Sequence, residues 1–265
     1  NNQTEMPWIV VDGYHFDAVY QKNIKDAGYK ILWIDDYGHA DHYYADLVLN
    51  QNISAEESFY SAREPYTRLL LGASYTLLRR EFKKWQEWQR EIPETAQNVL
   101  VTMGGGDPDN VTMKVVQALK QINIKGLNAK IIVGPANPNL HALKAECGNS
   151  TNLQIIANAT NMPELIAWAA VAVSAGGSTC WEMALLGLPN LIMYFADNQR
   201  PIAEKLHEYG AALSMGWSHQ LTIESIKQRI EDLLLSQERR NEYSIKSQDL
   251  VDGKGSQRVC REMFS

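Results

Sequence analysis

The chain has 265 residues, 45% of them hydrophobic and 21% charged, with a formal net charge of -6. That length suits two α/β lobes better than one core, and the composition is that of a folded globular protein rather than a disordered or fibrous one. Scattered basic residues under a negative net charge exclude a phosphate-tracking surface, so nucleic acid is not an expected partner, and an anionic ligand must be met locally by backbone N–H groups and helix N-termini.

Trp8 to Asp12 (WIVVD) is an apolar run closed by Gly13, which predicts a strand buried on both faces of a parallel sheet. Val19, Ile24 and Ala27 give the next segment the apolar side of a helix ended by Gly28, and Lys30 to Asp36 (KILWIDD) predicts a second strand, completing a βαβ unit. Asp46 to Asn50 and Arg68 to Gly72 predict further strands. Arg79 to Arg90 reads as a polar helix whose Trp85 and Trp88 are spaced as packing residues. The pattern breaks at Ile92 to Gln97 (IPETAQ), which predicts a division into a first lobe over 1–95 and a second over 96–240.

The second lobe alternates again. A strand over Asn98 to Met103 precedes a helix with Val115, Val116, Leu119 and Ile122 on one face. Strands follow at Lys130 to Gly134 and Leu153 to Ile156, with a helix over Pro163 to Ala169. Strand Ala170 to Ser174, a helix from Thr179, strand Asn190 to Phe195 and helix Arg200 to Tyr209 complete a doubly wound α/β sheet. Beyond Thr222 the chain reads as helical, with Ile226, Ile230, Leu233 and Leu234 in register and a last helix over Gly255 to Phe264.

Three loops at carboxyl strand ends in the second lobe carry small or hydrogen-bonding residues. Met103 to Pro108 (MGGGDP) lets the backbone approach an anion through Gly105 and Gly106, beside Asp107, or is simply a tight strand-to-helix turn. It matches neither GxGxxG nor Walker A, so neither NAD nor an ATP P-loop is supported. Ser174 to Glu182 (SAGGSTCWE) places Gly177, Ser178 and Thr179 at a helix start. Glu182 stands one turn in, where a carboxylate can accept both hydroxyls of a ribose or merely favour the helix dipole. Ala196 to Gln199 puts the amides of Asn198 and Gln199 where sugar hydroxyls can be read, or forms a polar cap.

In the first lobe Tyr14 and His15 end a strand and offer a phenol and an imidazole for proton transfer. His39 and His42 read as solvated loop residues, without a further partner at metal-ligand spacing. Cys147, Cys180 and Cys260 lie far apart, against a disulfide framework or structural zinc and in keeping with a reducing, cytoplasmic compartment. Asn-x-Ser/Thr triplets open at Asn2, Asn52, Asn110, Asn149 and Asn158, a pattern short enough for chance to supply. No run reaches the ~20 apolar residues of a membrane span, and the start of the chain has neither a basic nor an apolar signal region. The chain starts without Met and only seven residues before a strong strand, as a fragment or processed form would.

Taken in order, VVDGY (Val10 to Tyr14), IDD (Ile34 to Asp36), ADLVLNQN (Ala45 to Asn52), GASYTLLRREF (Gly72 to Phe82) and VTMGGGDPDN (Val101 to Asn110) resemble one known family. SAGGSTCWEMALLGLPNL (Ser174 to Leu191), DNQ (Asp197 to Gln199) and DGKGSQR (Asp252 to Arg258) extend the likeness nearly end to end. The family is the UDP-sugar hydrolases of pseudaminic acid biosynthesis, similar to spore-coat polysaccharide proteins and, more distantly, to the N-acetylglucosaminyltransferase acting on lipid I. The resemblance implies two Rossmann-like lobes of GT-B type, a C-terminal segment (241–265) returning to the first lobe, and no metal or redox cofactor. It implies hydrolysis of a UDP-linked diacetamido-trideoxy sugar, with water inverting the anomeric carbon. Glu182 would then hold the uridine ribose, with Gly105, Gly106, Ser178 and Thr179 near the diphosphate and Tyr14, Asn198 and Gln199 flanking the sugar and the water. The family opens with a Gly-x-Gly-His loop that carries the general base. This chain has no such loop, so the resemblance also implies a first lobe incomplete at its N-terminal side. A glycosyltransferase using a UDP-sugar donor and a non-catalytic nucleotide-sugar binding module are the alternatives, and the sequence leaves the oligomeric state open.

Overall fold

The computed structural model describes residues 6–148 and 150–265, so Asn2 and Asn149 lie outside the described residues. The chain up to Leu78 and Gly253–Ser265 form one unit, and Arg79–Asp252 a second.

Unit 1 is built on four parallel strands, β1 (Trp8–Asp12), β2 (Lys30–Ile34), β3 (Leu47–Asn50) and β4 (Arg68–Leu71), laid side by side in that order. One face packs Ile31, Trp33 and Val48. The other packs Leu32, Leu47, Leu49 and Leu70 against Val259 of the C-terminal helix (Gly255–Met263). That helix lies close because Gly255 has no side chain: a Cβ there would stand 2.2 Å from the Thr76 carbonyl oxygen. Arg258 donates to the Ser74 carbonyl (2.7 Å) and fixes the same contact.

Two expectations fail in this unit. β1 is not buried on both faces: among the described residues it pairs with β2 alone, Val10 is 55% exposed, and Val11 is the strand's buried residue. Helix α1 (Ala18–Asp26) does not turn Val19 inward either. Its buried residue is Gln21, whose Oε1 accepts the N–H groups of Tyr44 (3.0 Å) and Ala45 (3.1 Å). A buried amide replaces an apolar contact there because the Tyr44–Ala45 backbone, just before β3, presents two donors that need an acceptor away from water.

Unit 2 holds six parallel strands: β5 (Asn98–Thr102), β6 (Asn128–Val133), β7 (Leu153–Ala157), β8 (Val171–Ala175), β9 (Asn190–Tyr194) and β10 (Leu213–Trp217). Their spatial order is β10-β9-β8-β5-β6-β7. The chain starts at β5, winds outward to β7, and then returns to the other side of β5 to continue through β8, β9 and β10. The direction of winding thus reverses between β5 and β8, the place where doubly wound sheets open a crevice at their carboxyl strand ends. Helices α2 (Val111–Lys120), α3 (Leu140–Cys147), α4 (Met162–Trp168), α5 (Thr179–Leu185), α6 (Arg200–Tyr209), α7 (Ile223–Leu235) and α8 (Gln237–Leu250) complete the unit. In β8 and β9 every residue is buried, as expected of central strands covered on both faces. α7 buries Ile226, Ile230, Leu233 and Leu234, side chains that contribute roughly 1.5–3 kcal/mol each on leaving water.

Sequence reading did not assign α3 or β10. β10 carries a register shift between Ser214 and Gly216, which interrupts the alternation that would have marked it. The stretch expected as a helix over Arg79 to Arg90 forms only a 3-10 segment, Arg80–Trp85. Side-chain anchors hold it instead: Phe82 is buried, and Arg90 donates to the carbonyls of Leu186, Ala169 and Ile166. Those carbonyls lie at the C-terminal ends of α4 and α5, where a cation is favoured. α8 also stays with unit 2, so only residues 253–265 of the tail join unit 1. Gly187 admits α8 closely, since a Cβ there would meet Ser244 Oγ at 2.6 Å, and Ser247 donates to the Ala211 carbonyl.

Candidate functional site

Four loops leave the carboxyl ends of β5, β6, β8 and β9, and glycine sets their spacing. A Cβ on Gly134 would lie 2.4 Å from the Gly105 carbonyl oxygen, and one on Gly176 would lie 2.5 Å from the Gln199 carbonyl oxygen. Any side chain at either position would push two loops apart. Ala136 N–H donates to Gly105 O (3.1 Å), which ties the β6 loop to the β5 loop. Gly105 and Gly177 differ in kind, because a Cβ at either would meet nothing within 4 Å. They face open space, where a ligand can approach the backbone.

Asp107 does not face that space. It is 1% exposed, and its carboxylate accepts the N–H groups of Val111 (2.7 Å) and Thr112 (2.9 Å) at the start of α2. Both oxygens are thus engaged in capping the helix, and their charge already neutralises its N-terminal dipole. The expectation that Asp107 contacts a substrate is corrected accordingly. The exposed Gly104 and Gly105 and the half-buried Gly106 remain as what this loop offers.

Around β8, the Gly177 N–H donates to the Ala175 carbonyl (2.9 Å), so Gly177 supplies room rather than a donor. Ser178 is exposed and, although it stands at the cap of α5, its hydroxyl makes no capping bond. Thr179 is half-buried beside it. Glu182 lies one turn into α5 with a side chain 11% exposed, held by Arg79: Nε donates to Oε1 (2.7 Å) and Nη2 to Oε2 (2.9 Å). This two-pronged pair compensates a nearly buried charge, and the Glu182 carboxylate raises the pKa of Arg79 further above its ordinary value. After β9, Asn198 is exposed, whereas the Gln199 Oε1 accepts the Phe195 N–H (3.1 Å) and closes its own loop. Unit 2 therefore gathers Gly105, Gly106, Gly177, Ser178, Thr179, Glu182, Asn198 and Gln199 on the carboxyl edge of one sheet. Sequence reasoning missed Arg79 and Gly134. Arg79 lies 103 residues before its partner, a separation no local period reveals.

Tyr14 belongs to unit 1, at the carboxyl end of β1. Its hydroxyl donates to Asp36 Oδ2. His15 is exposed and packs on Phe16, with ring centroids 4.0 Å apart. His39 is not a solvated loop residue. Its side chain is 12% exposed, with Nδ1 3.2 Å from Asp35 Oδ1 and Nε2 3.2 Å from the Phe16 carbonyl. His42 pairs with Glu64 (3.1 Å). Among the described residues no three His, Cys, Asp or Glu side chains gather to hold a metal, and no helix is long and apolar enough to cross a membrane.

Two parallel α/β units, the second doubly wound with its glycine loops at the switch point, define a protein of the GT-B fold class. Residues 98–259 match the glycosyltransferase family 28 C-terminal domain, and the chain belongs to that family. It is 28% identical over 199 residues to the uncharacterized protein MJ1062 of Methanocaldococcus jannaschii, covering 72% of this chain and 41% of that one. It is 27% identical over 240 residues to the spore coat polysaccharide biosynthesis protein SpsG of Bacillus subtilis, covering 90% and 70%. Identity is 25% over 230 residues with a Helicobacter pylori protein named pseudaminic acid cytidylyltransferase and UDP-2,4-diacetamido-2,4,6-trideoxy-beta-L-altropyranose hydrolase, covering 85% and 40%. The chain thus spans well under half the length of the first and third of these relatives. Among solved structures, MurG of Acinetobacter baumannii is similar with a TM-score of 0.61, 17% identity and coverage of 91% and 69%. A co-structure of S. aureus MnaA with UDP gives 0.67, 13%, 97% and 74%, and these two likenesses speak for the fold.

Proposed function

We propose that unit 2 binds the uridine diphosphate of a nucleotide sugar along the carboxyl ends of β5, β8 and β9. The protein then acts in glycan biosynthesis by hydrolysing a UDP-linked diacetamido-trideoxy sugar with inversion at the anomeric carbon. The observation that carries this reading is the pair of open glycines, Gly105 and Gly177, at the carboxyl ends of β5 and β8, with the buried Glu182 (8% exposed) one turn into the helix that follows, both its oxygens held by Arg79. Two ionised oxygens offer about four acceptor positions, of which Arg79 takes two, so a vicinal diol can still be received. The diphosphate lies over Gly105, Gly106 and Gly177, with Ser178 and Thr179 as hydroxyl donors. Asn198 and Gln199 read the sugar at the same edge of unit 2. The naming of a UDP-sugar hydrolase among the relatives supports the substrate class. Three free thiols support a reducing, cytoplasmic place of action.

A second reading, transfer of the sugar to an acceptor, is favoured by the match to a glycosyltransferase domain. Product analysis separates the two. Incubation with UDP-2,4-diacetamido-2,4,6-trideoxy-beta-L-altropyranose alone should release UDP and the sugar in the inverted anomeric form, whereas release only on adding a lipid or glycan acceptor would establish transfer. Calorimetric titration with UDP tests the nucleotide site itself. Saturable binding is expected, and its absence would sink both readings.

A further inference from the structure

The interior of unit 2 holds three polar side chains where β8 meets β9. Ser174 near the end of β8, Cys180 in the first turn of α5 and Asn190 at the start of β9 are each at most 3% exposed. They converge on one backbone carbonyl. Asn190 Nδ2 donates to Ser174 Oγ (2.8 Å) and, over a longer contact, to Cys180 Sγ (3.9 Å). Ser174 Oγ in turn donates to the Ala175 carbonyl (3.2 Å), and so does Cys180 Sγ (3.3 Å). A hydroxyl and a thiol carry one proton each, so an amide nitrogen that can only give commits both of those protons to the carbonyl. Burial pushes the Cys180 thiol up to about 11, which keeps its proton in place.

Stability does not explain the trio. Asn190 Oδ1 is buried with no partner among the described residues, a cost that an apolar side chain at this place would avoid. The amide therefore contributes through its donors, and what they serve is the Ala175–Gly176 peptide. With the Gly177 N–H (2.9 Å) as a third donor, the Ala175 carbonyl is held toward these groups. The peptide is trans, so its own N–H, on Gly176, points the opposite way. Gly176 is buried, and among the described residues its N–H meets no acceptor. Buried backbone N–H groups are rarely left so. Next to it stands Gly177, where a Cβ would meet nothing within 4 Å.

We propose that Ser174, Cys180 and Asn190 are positioning residues that turn the Gly176 N–H toward an oxygen of the nucleotide diphosphate. The proposal rests on the nucleotide reading of unit 2 and holds equally for hydrolysis and for transfer. A phosphate oxygen brings lone pairs and negative charge, and it supplies the acceptor that the protein withholds from this donor. The three side chains do not touch the ligand. They act by holding the Ala175 carbonyl inward; without them the Ala175–Gly176 peptide is free to rotate, and its carbonyl oxygen would then face the phosphate and repel it.

The test uses a feature of the sequence: Ala is followed by Gly only at 27–28 and 175–176. Labelling alanine carbonyls with carbon-13 and glycine with nitrogen-15 therefore leaves two amide signals in a carbonyl-filtered NMR spectrum, Gly28 and Gly176. Saturating UDP should move the Gly176 proton downfield and leave Gly28 in place, and uridine should move Gly176 far less. The double variant Ser174→Ala/Cys180→Ala should bind UDP about tenfold more weakly with uridine affinity within about twofold. Cys180→Ser, which keeps a donor, should bind UDP within about twofold of the wild type. A trio that only supported the fold would lower both affinities together or change stability alone. An unmoved Gly176 signal in the UDP complex, an unchanged UDP affinity in the double variant, or equal losses for UDP and uridine overturns the proposal and leaves the nucleotide reading standing. A wild type that does not bind UDP overturns both. Should circular dichroism show the double variant unfolded, the wild-type Gly176 signal decides together with Ser174→Ala. That variant keeps the Cys180 bond and should lose about threefold in UDP affinity alone, and an unchanged affinity there overturns the proposal.

Discussion

Glu182 is the residue on which the proposed nucleotide recognition turns. Replacing it with Ala removes the acceptor proposed for the ribose diol and strands Arg79. Charge-assisted hydrogen bonds contribute roughly 1.5–3 kcal/mol, so UDP affinity measured by calorimetry should fall about tenfold or more. The glycines divide into two groups by the same logic. Gly105→Ala and Gly177→Ala meet no protein atom within 4 Å, so stability should stay within about 0.5 kcal/mol while UDP binding weakens. Gly134→Ala and Gly176→Ala meet backbone oxygens and should destabilise by about 1–3 kcal/mol in thermal unfolding. Asp35 gives a pH-dependent counterpart. Burial pushes its pKa up, but the Tyr43 hydroxyl, the Tyr37 and Asp36 N–H groups and His39 outweigh that and hold it below the usual carboxylate range. A carboxyl depressed in the folded state stabilises above its unfolded pKa of about 4 and loses that contribution as pH falls below it. Wild-type unfolding monitored from pH 7 to pH 3 should show this decline, and Asp35→Asn should be less stable at pH 7 with a flatter acid limb.

Among the elements, the C-terminal helix and β1 show how much packing decides. The helix Gly255–Met263 covers Leu32, Leu47, Leu49 and Leu70 only because residue 255 lacks a Cβ. Gly255→Ala should therefore lower the midpoint of unit 1 unfolding in denaturant, by an energy of about 1–3 kcal/mol. The period of α7 was readable because Ile226, Ile230, Leu233 and Leu234 fall on one helical face and are all buried. α1 misled because its one buried residue is a glutamine, and burial of an amide follows from donors on a different segment. In β1 the run WIVVD marks a strand, and among the described residues that strand pairs with β2 while Val10 stays exposed.

For the whole molecule, ligand linkage gives the clearest expectation. UDP at about 100 times its Kd should stabilise the unit that binds it by about 2.7 kcal/mol. Hydrogen exchange should then slow in the loops 103–108, 175–182 and 196–199 of unit 2, and unchanged exchange there would contradict a nucleotide at this edge. The alternation of strands and helices, the two α/β units and the glycine loops at 103–108 and 174–178 were legible in the order of residues alone, because strand and helix periods and glycine turns are local properties. The pairing of Arg79 with Glu182 and the gathering of Tyr14, Asp36 and Asn52 depend on which strands lie side by side. So does the use of Asp107 as a cap, which hangs on one left-handed backbone turn at φ 50°. Chain order determined what kind of sheet forms and where its loops fall. Only the folded packing decided which side chains in those loops are taken up by the protein and which are left for a ligand, because hydrogen-bond partners are chosen by proximity in space and not along the chain.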